Sequence, residues 1–130
     1  MSVNDFVTGI QHIGIPTNDI EKTQRFFKSL GFTEAYTADN NGEKVAFLKL
    51  KNIVIETYQN GDAAEQLGAI DHIALDVTDI EKTYEAVRKL GYTELENGIQ
   101  FLPFWDHGVR FFTILGPNKE KVEFSQMLKD

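Results

Sequence analysis

The sequence contains no cysteine. Disulfides, thiolate metal centres and cysteine nucleophiles are therefore excluded. Basic residues are outnumbered, 13 against 20 acidic ones, for a formal net charge of -7. They are also scattered, so the basic face of a nucleic-acid binder is missing. Nucleic acid and anionic membranes are not expected partners. No apolar run approaches the roughly 20 residues of a membrane-spanning helix. The opening stretch MSVNDFVTGIQH has neither the basic nor the apolar segment of a signal peptide. These absences predict a cytoplasmic protein.

What remains is ordinary for a globular chain: 130 residues, 42% hydrophobic and 25% charged. A chain of this size buries about two-thirds of its unfolded surface and needs no covalent staple. Its acidity is uneven. Residues 1–60 carry 6 basic and 7 acidic side chains, and residues 61–130 carry 7 and 13. A solvated acidic surface accounts for that.

The chain reads as two copies of one module. Residues 11–34, QHIGIPTNDIEKTQRFFKSLGFTE, and residues 71–94, DHIALDVTDIEKTYEAVRKLGYTE, share 11 of 24 positions at an offset of 60. Two copies are too few, and the period too long, for a solenoid. The boundaries predicted are 8–59 and 70–127, within a single domain spanning 1–130, with 60–69 as linker.

Each copy reads as strand, helix, then strands. Asn18 and Thr78 stand three residues before Glu21 and Glu81, which predicts capping boxes. Helices follow over DIEKTQRFFKSL and DIEKTYEAVRKL, with Ile20, Phe27 and Leu30 on one face, and Ile80, Tyr84, Val87 and Leu90 on the other copy's face. Gly31 and Gly91 sit where a glycine ends a helix. Strands are expected over FTEAYTA, KVAFLKL and NIVIETY, then over YTELE, VRFFTIL and KVEFSQ. Turns are expected at Asn40-Asn41-Gly42 and Gly116-Pro117-Asn118.

Four polar residues share one parity. His12 and His72 lie in the first strand of each copy, and Glu56 and Glu123 in the last. Side chains alternate along a strand. Ile13, Ile15, Ile73, Leu75, Val77, Ile55, Val122 and Phe124 therefore face the helices, and the His and Glu residues face away. Gly14 and Ala74, two residues after each His, leave room on that face. A lone strand histidine is more often a satisfied polar residue than a ligand, and duplication can copy a structural one. Yet the glutamates correspond as well, since IETYQ (55–59) aligns with VEFSQ (122–126). Two imidazoles and two carboxylates make a mixed N/O donor set suited to Ni, Zn, Co, Mn or Fe as a divalent ion.

At this point the chain resembles the vicinal oxygen chelate superfamily, which includes glyoxalase I, methylmalonyl-CoA epimerase, extradiol dioxygenases and bleomycin-resistance proteins. The resemblance is carried by HIGIPTNDIEKTQRFFKSLGF, DHIALDVTDIEKTYEAVRKLGY and GVRFFTILGPNKEKVEF. It implies an α+β fold of two βαβββ modules forming a cupped, open eight-stranded mixed sheet with helices on the outer face. It also implies that His12, Glu56, His72 and Glu123 hold one metal ion. Within the family the set His, Glu, His, Glu is most similar to bacterial-type glyoxalase I. Two departures bear on glutathione recognition and leave the metal ligands in place: Pro16 and Thr17 stand where an arginine is common, and LGPNKE replaces the usual hairpin sequence.

The activity this implies is that of a metal-dependent lyase or isomerase. It would transfer a proton next to a carbonyl through an enediolate, on a small substrate with adjacent oxygens. Glu123 is the expected base and Glu56 its symmetry mate. A methylmalonyl-CoA-epimerase-like activity is one alternative. A metal-free drug- or metabolite-binding protein is another. The family also implies a homodimer, with the ligand set closed within one chain or shared. The loop FLPFWDHGVRFF (101–112) offers Phe104, Trp105, His107 and Arg110 as a substrate pocket. The bland readings there are core or contact aromatics, a surface histidine and a solvent-facing arginine.

Overall fold

The computed structural model describes residues 2–65, 67–115 and 121–130. The turn expected at Gly116-Pro117-Asn118 lies outside the described residues. Among the described residues, eight strands and two α-helices make an α+β fold with mixed strand pairing. The chain groups into two compact units. The first module is His12–Asp71, and the second joins Met1–Gln11 to His72–Asp130.

In the first module, β1 (Val7–Thr17), of which residues from His12 belong here, leads to α1 (Ile20–Ser29). Then come β2 (Thr33–Asn40), β3 (Glu43–Leu50) and β4 (Ile53–Gln59). The strand order is β2-β3-β4-β1, with β1 parallel to β4 and the other pairs antiparallel. The β2–β3 hairpin turns through Asn41 (φ 55°) and Gly42 (φ 93°). Two successive positive φ values give the turn hand that suits strand twist. Ile20, Phe32, Ala46, Leu48 and Ile55 form the core, with Ile15, Phe27 and Leu50 against it.

The second module repeats the plan. β5 (His72–Val77), α2 (Ile80–Arg88), β6 (Gln100–Leu102), β7 (Val109–Leu115) and β8 (Lys121–Met127) follow in turn. The order is β5-β8-β7-β6, with β5 parallel to β8. Val77, Ile80, Val87, Phe112 and Phe124 form its core. Val3, Phe6 and Val7 of the N-terminal segment pack against that core.

Both helices start one residue later than the capping boxes predict. Asp19 and Asp79 are the caps, accepting from the backbone N–H of Lys22 at 3.1 Å and Lys82 at 3.0 Å. Asn18 is drawn elsewhere: its amide donates to Glu65 and accepts from the Ala63 N–H. A second device repeats as well. Gln59, at the end of β4, accepts the Ile20 N–H at 2.9 Å, and Gln126 of β8 accepts the Ile80 N–H at 2.8 Å. Each glutamine satisfies a helix-start donor that has no partner within the helix. It thereby ties the helix to the strand that carries the module's glutamate. Leu30 and Leu90, expected on the buried helix faces, are exposed. They lie one residue past Ser29 and two past Arg88, where the helical period no longer directs them inward.

The YTELE stretch differs from expectation. It makes one isolated bridge, Glu94 to Ile114, and β6 forms instead at Gln100–Leu102. Two side chains account for the break. Glu96 takes the Thr113 N–H at 2.7 Å, the donor a continuing strand would have used. Gln100 folds back onto the carbonyls of Asn97 and Gly98.

Candidate functional site

The packing of each module determines which way its polar strand residues point. In the first, Ile15 and Ile55 join the core beneath α1, so alternation turns Gly14 and Glu56 to the opposite face. In the second, Leu75, Val122 and Phe124 join the core beneath α2, which turns Ala74 and Glu123 the other way. The registers match. Gly14 is the partner of Glu56, and Ala74 the partner of Glu123. Each histidine lies two residues before that small partner.

The result is one His–Glu pair per module. His12 Nε2 lies 3.3 Å from Glu56 Oε1, with side chains 5% and 13% exposed. His72 Nε2 lies 3.6 Å from Glu123 Oε1, with side chains 10% and 14% exposed. Ala74 is fully buried. The His12 ring is set edge-on to Phe47, with centroids 5.7 Å apart and planes at 87°. Phe47 is itself the strand partner of Glu56.

This donor set fits a divalent cation. Imidazole nitrogen and carboxylate oxygen already converge in mostly water-excluded surroundings, and both are common ligands of such ions.

The expected pocket residues separate. Trp105 and His107 line a cavity of about 530 Å³ together with Asp106 and residues 127–130. His107 Nε2 lies 3.1 Å from Asp130 Oδ1 on the surface. Trp105 has a left-handed backbone, φ 62°, which is strained for a bulky side chain. Phe104 is buried. Arg110 is engaged with Glu81 of the first turn of α2 at 3.3 Å, so its guanidinium is turned toward the helix.

Three polar residues near the pairs escaped sequence reading. Asp76 shares the parity of His72 and Ala74. It accepts from Thr8 Oγ1 at 2.8 Å and from Gln11 Nε2 at 2.9 Å. Parity alone was a sufficient signal for Asp76. Gln11 also reaches the Ser125 carbonyl at 3.1 Å. Glu96 holds Thr113, the strand partner of Glu123, through both its backbone N–H and its hydroxyl. Nothing in the sequence marks that contact. On the helix side, the Tyr84 hydroxyl donates to Glu94 at 2.7 Å. That bond raises the phenol above its ordinary range, with desolvation and the Glu94 charge adding and Arg88 opposing.

A family model described as the glyoxalase/bleomycin resistance protein/dioxygenase superfamily matches residues 11–112. The chain belongs to that superfamily. It is also 30% identical to the uncharacterised protein YwbC of Bacillus subtilis (strain 168), covering 90% of this chain and 96% of that one. Methylmalonyl-CoA epimerase from Mycobacterium tuberculosis matches with a TM-score of 0.78 and 18% identity, over 99% of this chain and 92% of that one. Glyoxalase I from Zea mays matches with a TM-score of 0.66 and 19% identity, over 96% of this chain and 46% of that one. At these identities the solved structures speak for the vicinal oxygen chelate fold alone. No described helix is long and apolar enough to cross a membrane.

Proposed function

We propose that this superfamily member is a divalent-metal-dependent lyase or isomerase of the glyoxalase I type. His12, Glu56, His72 and Glu123 would serve together as ligands of one ion. The observation that carries the reading is the duplicated His–Glu pair, at 3.3 and 3.6 Å, on matching registers of the two modules. Two carboxylates and two neutral imidazoles offset the charge of a divalent ion.

When bound, such an ion supplies Lewis-acid polarisation of two neighbouring substrate oxygens. The chain's own residues do the rest. His12 and His72, fixed by their glutamate partners, present nitrogen from strands anchored in each core. Glu123 takes the proton from the carbon beside the carbonyl at a carboxylate oxygen. It returns that proton to the neighbouring carbon in a lyase or isomerase; in an epimerase a second group, with Glu56 the candidate, would deliver a proton to the opposite face of the same carbon. Glu123 would be both a ligand and the base, so its carboxylate would have to be free to take a proton when substrate is bound. Glu56 is the second candidate for the same task.

The epimerase variant is kept because the fold match to methylmalonyl-CoA epimerase spans nearly the whole of both chains. Heavy water separates the variants. Cobalt- or nickel-loaded protein is expected to convert a 2-oxoaldehyde–thiol adduct to the isomerised product. Deuterium washing into an acyl thioester without net turnover would select the epimerase. Metal-loaded protein that leaves every proton in both substrate classes in place would remove both, and leave a binding protein.

A further inference from the structure

The two glutamates of the candidate site have unlike neighbours across the sheet. Opposite Glu56, on β3, is Phe47, and the partner of Phe47 on β2 is Tyr36, with ring centroids 6.2 Å apart. Opposite Glu123, on β7, is Thr113, which is 5% exposed. Sixty positions after Tyr36 stands Glu96. An aromatic pair in one module is thus a carboxylate–hydroxyl pair in the other.

Glu96 takes both donors of Thr113. Its Oε1 accepts the backbone N–H at 2.7 Å and its Oε2 accepts the hydroxyl at 2.8 Å. A threonine hydroxyl has one proton to give, and an ionised carboxylate can only accept. The Thr113 proton is therefore committed to Glu96. Directly opposed side chains on one face of an antiparallel pair have Cβ atoms roughly 4.5–5.5 Å apart. A Thr113 hydroxyl released from Glu96 could rotate and donate to the Glu123 carboxylate. That bond would occupy one of the carboxylate's lone-pair sites and draw charge from the oxygen offered to a cation.

We propose that Glu96 is a positioning residue for Glu123: by holding the Thr113 proton, it keeps the Glu123 carboxylate available to a metal ion. The inference rests on the metal reading above and extends it to a residue outside the ligand set. The competing account is purely structural, with Glu96 merely closing the outer edge of β7 where strand pairing lapses between Glu94 and β6.

A mutant cycle read by cobalt(II) titration separates the two. In Glu96→Gln, the amide oxygen can still accept the Thr113 N–H, while the amide nitrogen donates to the hydroxyl oxygen and frees its proton. The cobalt dissociation constant, followed through the visible d–d bands, is expected to rise roughly tenfold, with a change in band shape. Adding Thr113→Val removes the freed proton. The double variant should return to within about twofold of wild type. Thr113→Val alone should also bind cobalt like wild type.

Wild-type affinity and spectrum in Glu96→Gln would overturn the proposal. So would a double variant no tighter than the single one, which is the edge-staple outcome. Thermal melts of each variant identify any that fail to fold. Thr113→Val is informative without the others, because a tenfold loss there would show that the hydroxyl assists metal binding. Wild-type protein that takes no cobalt defeats the metal reading itself, a result distinct from all of these.

Discussion

Glu123→Gln is expected to lower the rate of substrate proton exchange by roughly a hundred- to ten-thousand-fold, the range for loss of a positioned base. Glutamine keeps the shape of the side chain and can still offer an oxygen. It cannot take a proton at neutral pH. The measurement is exchange at saturating substrate on metal-loaded protein, with metal content determined on the same sample. Glu56→Gln is the internal comparison. If Glu123 is the base and Glu56 mainly a ligand, the Glu56 variant should lose metal affinity more than turnover per bound metal. Equal turnover per metal in Glu123→Gln and wild type would move the base elsewhere, with Glu56 first in line.

The largest effect on stability is expected at Phe112. Its side chain is 1% exposed, stacks on Phe124 at 5.0 Å with planes 18° apart, and meets the Tyr84 ring edge-on at 5.0 Å. Phe112→Ala leaves a cavity in the core beneath α2 and should cost about 3–5 kcal/mol. Domains of this kind have only about 5–15 kcal/mol in total. Urea denaturation of Phe112→Ala should show a much lower midpoint with little change in slope. Phe101→Ala, at a residue 57% exposed, should change stability by no more than about 0.5 kcal/mol. Similar midpoints for the two variants would mean that the second core is not built around Phe112.

Much of this architecture was legible because the chain states its plan twice. The shared DIEKT segment located both helices. Period-two alternation then placed His12, Glu56, His72 and Glu123 opposite the residues that pack under α1 and α2. Alternation is a short-range property of backbone geometry, so it reads well from sequence. Contacts made by side chains to distant backbone do not. Asn18 looked like a cap until its amide found Ala63 and Glu65, 45 and 47 residues away. The strand expected at YTELE failed because Glu96 occupies the Thr113 N–H that a ladder would need. Of the residues expected in the aromatic loop, Trp105 and His107 line a cavity, while Arg110 turns to Glu81 and Phe104 is buried. In each case the sequence supplied the right residue types, and a long-range partner decided their use.

The central claim is that the two His–Glu pairs act as one metal site. The direct test is elemental analysis of tag-free protein loaded with nickel, cobalt or zinc and then desalted, beside His12→Ala and His72→Ala. The account predicts about one ion per chain in wild type, lost in either variant, because each module supplies half of the ligands. The expected ratio is the same whether the set closes within one chain or is shared with a second copy. Wild type that retains no metal, or an ion that survives removal of either histidine, would contradict it.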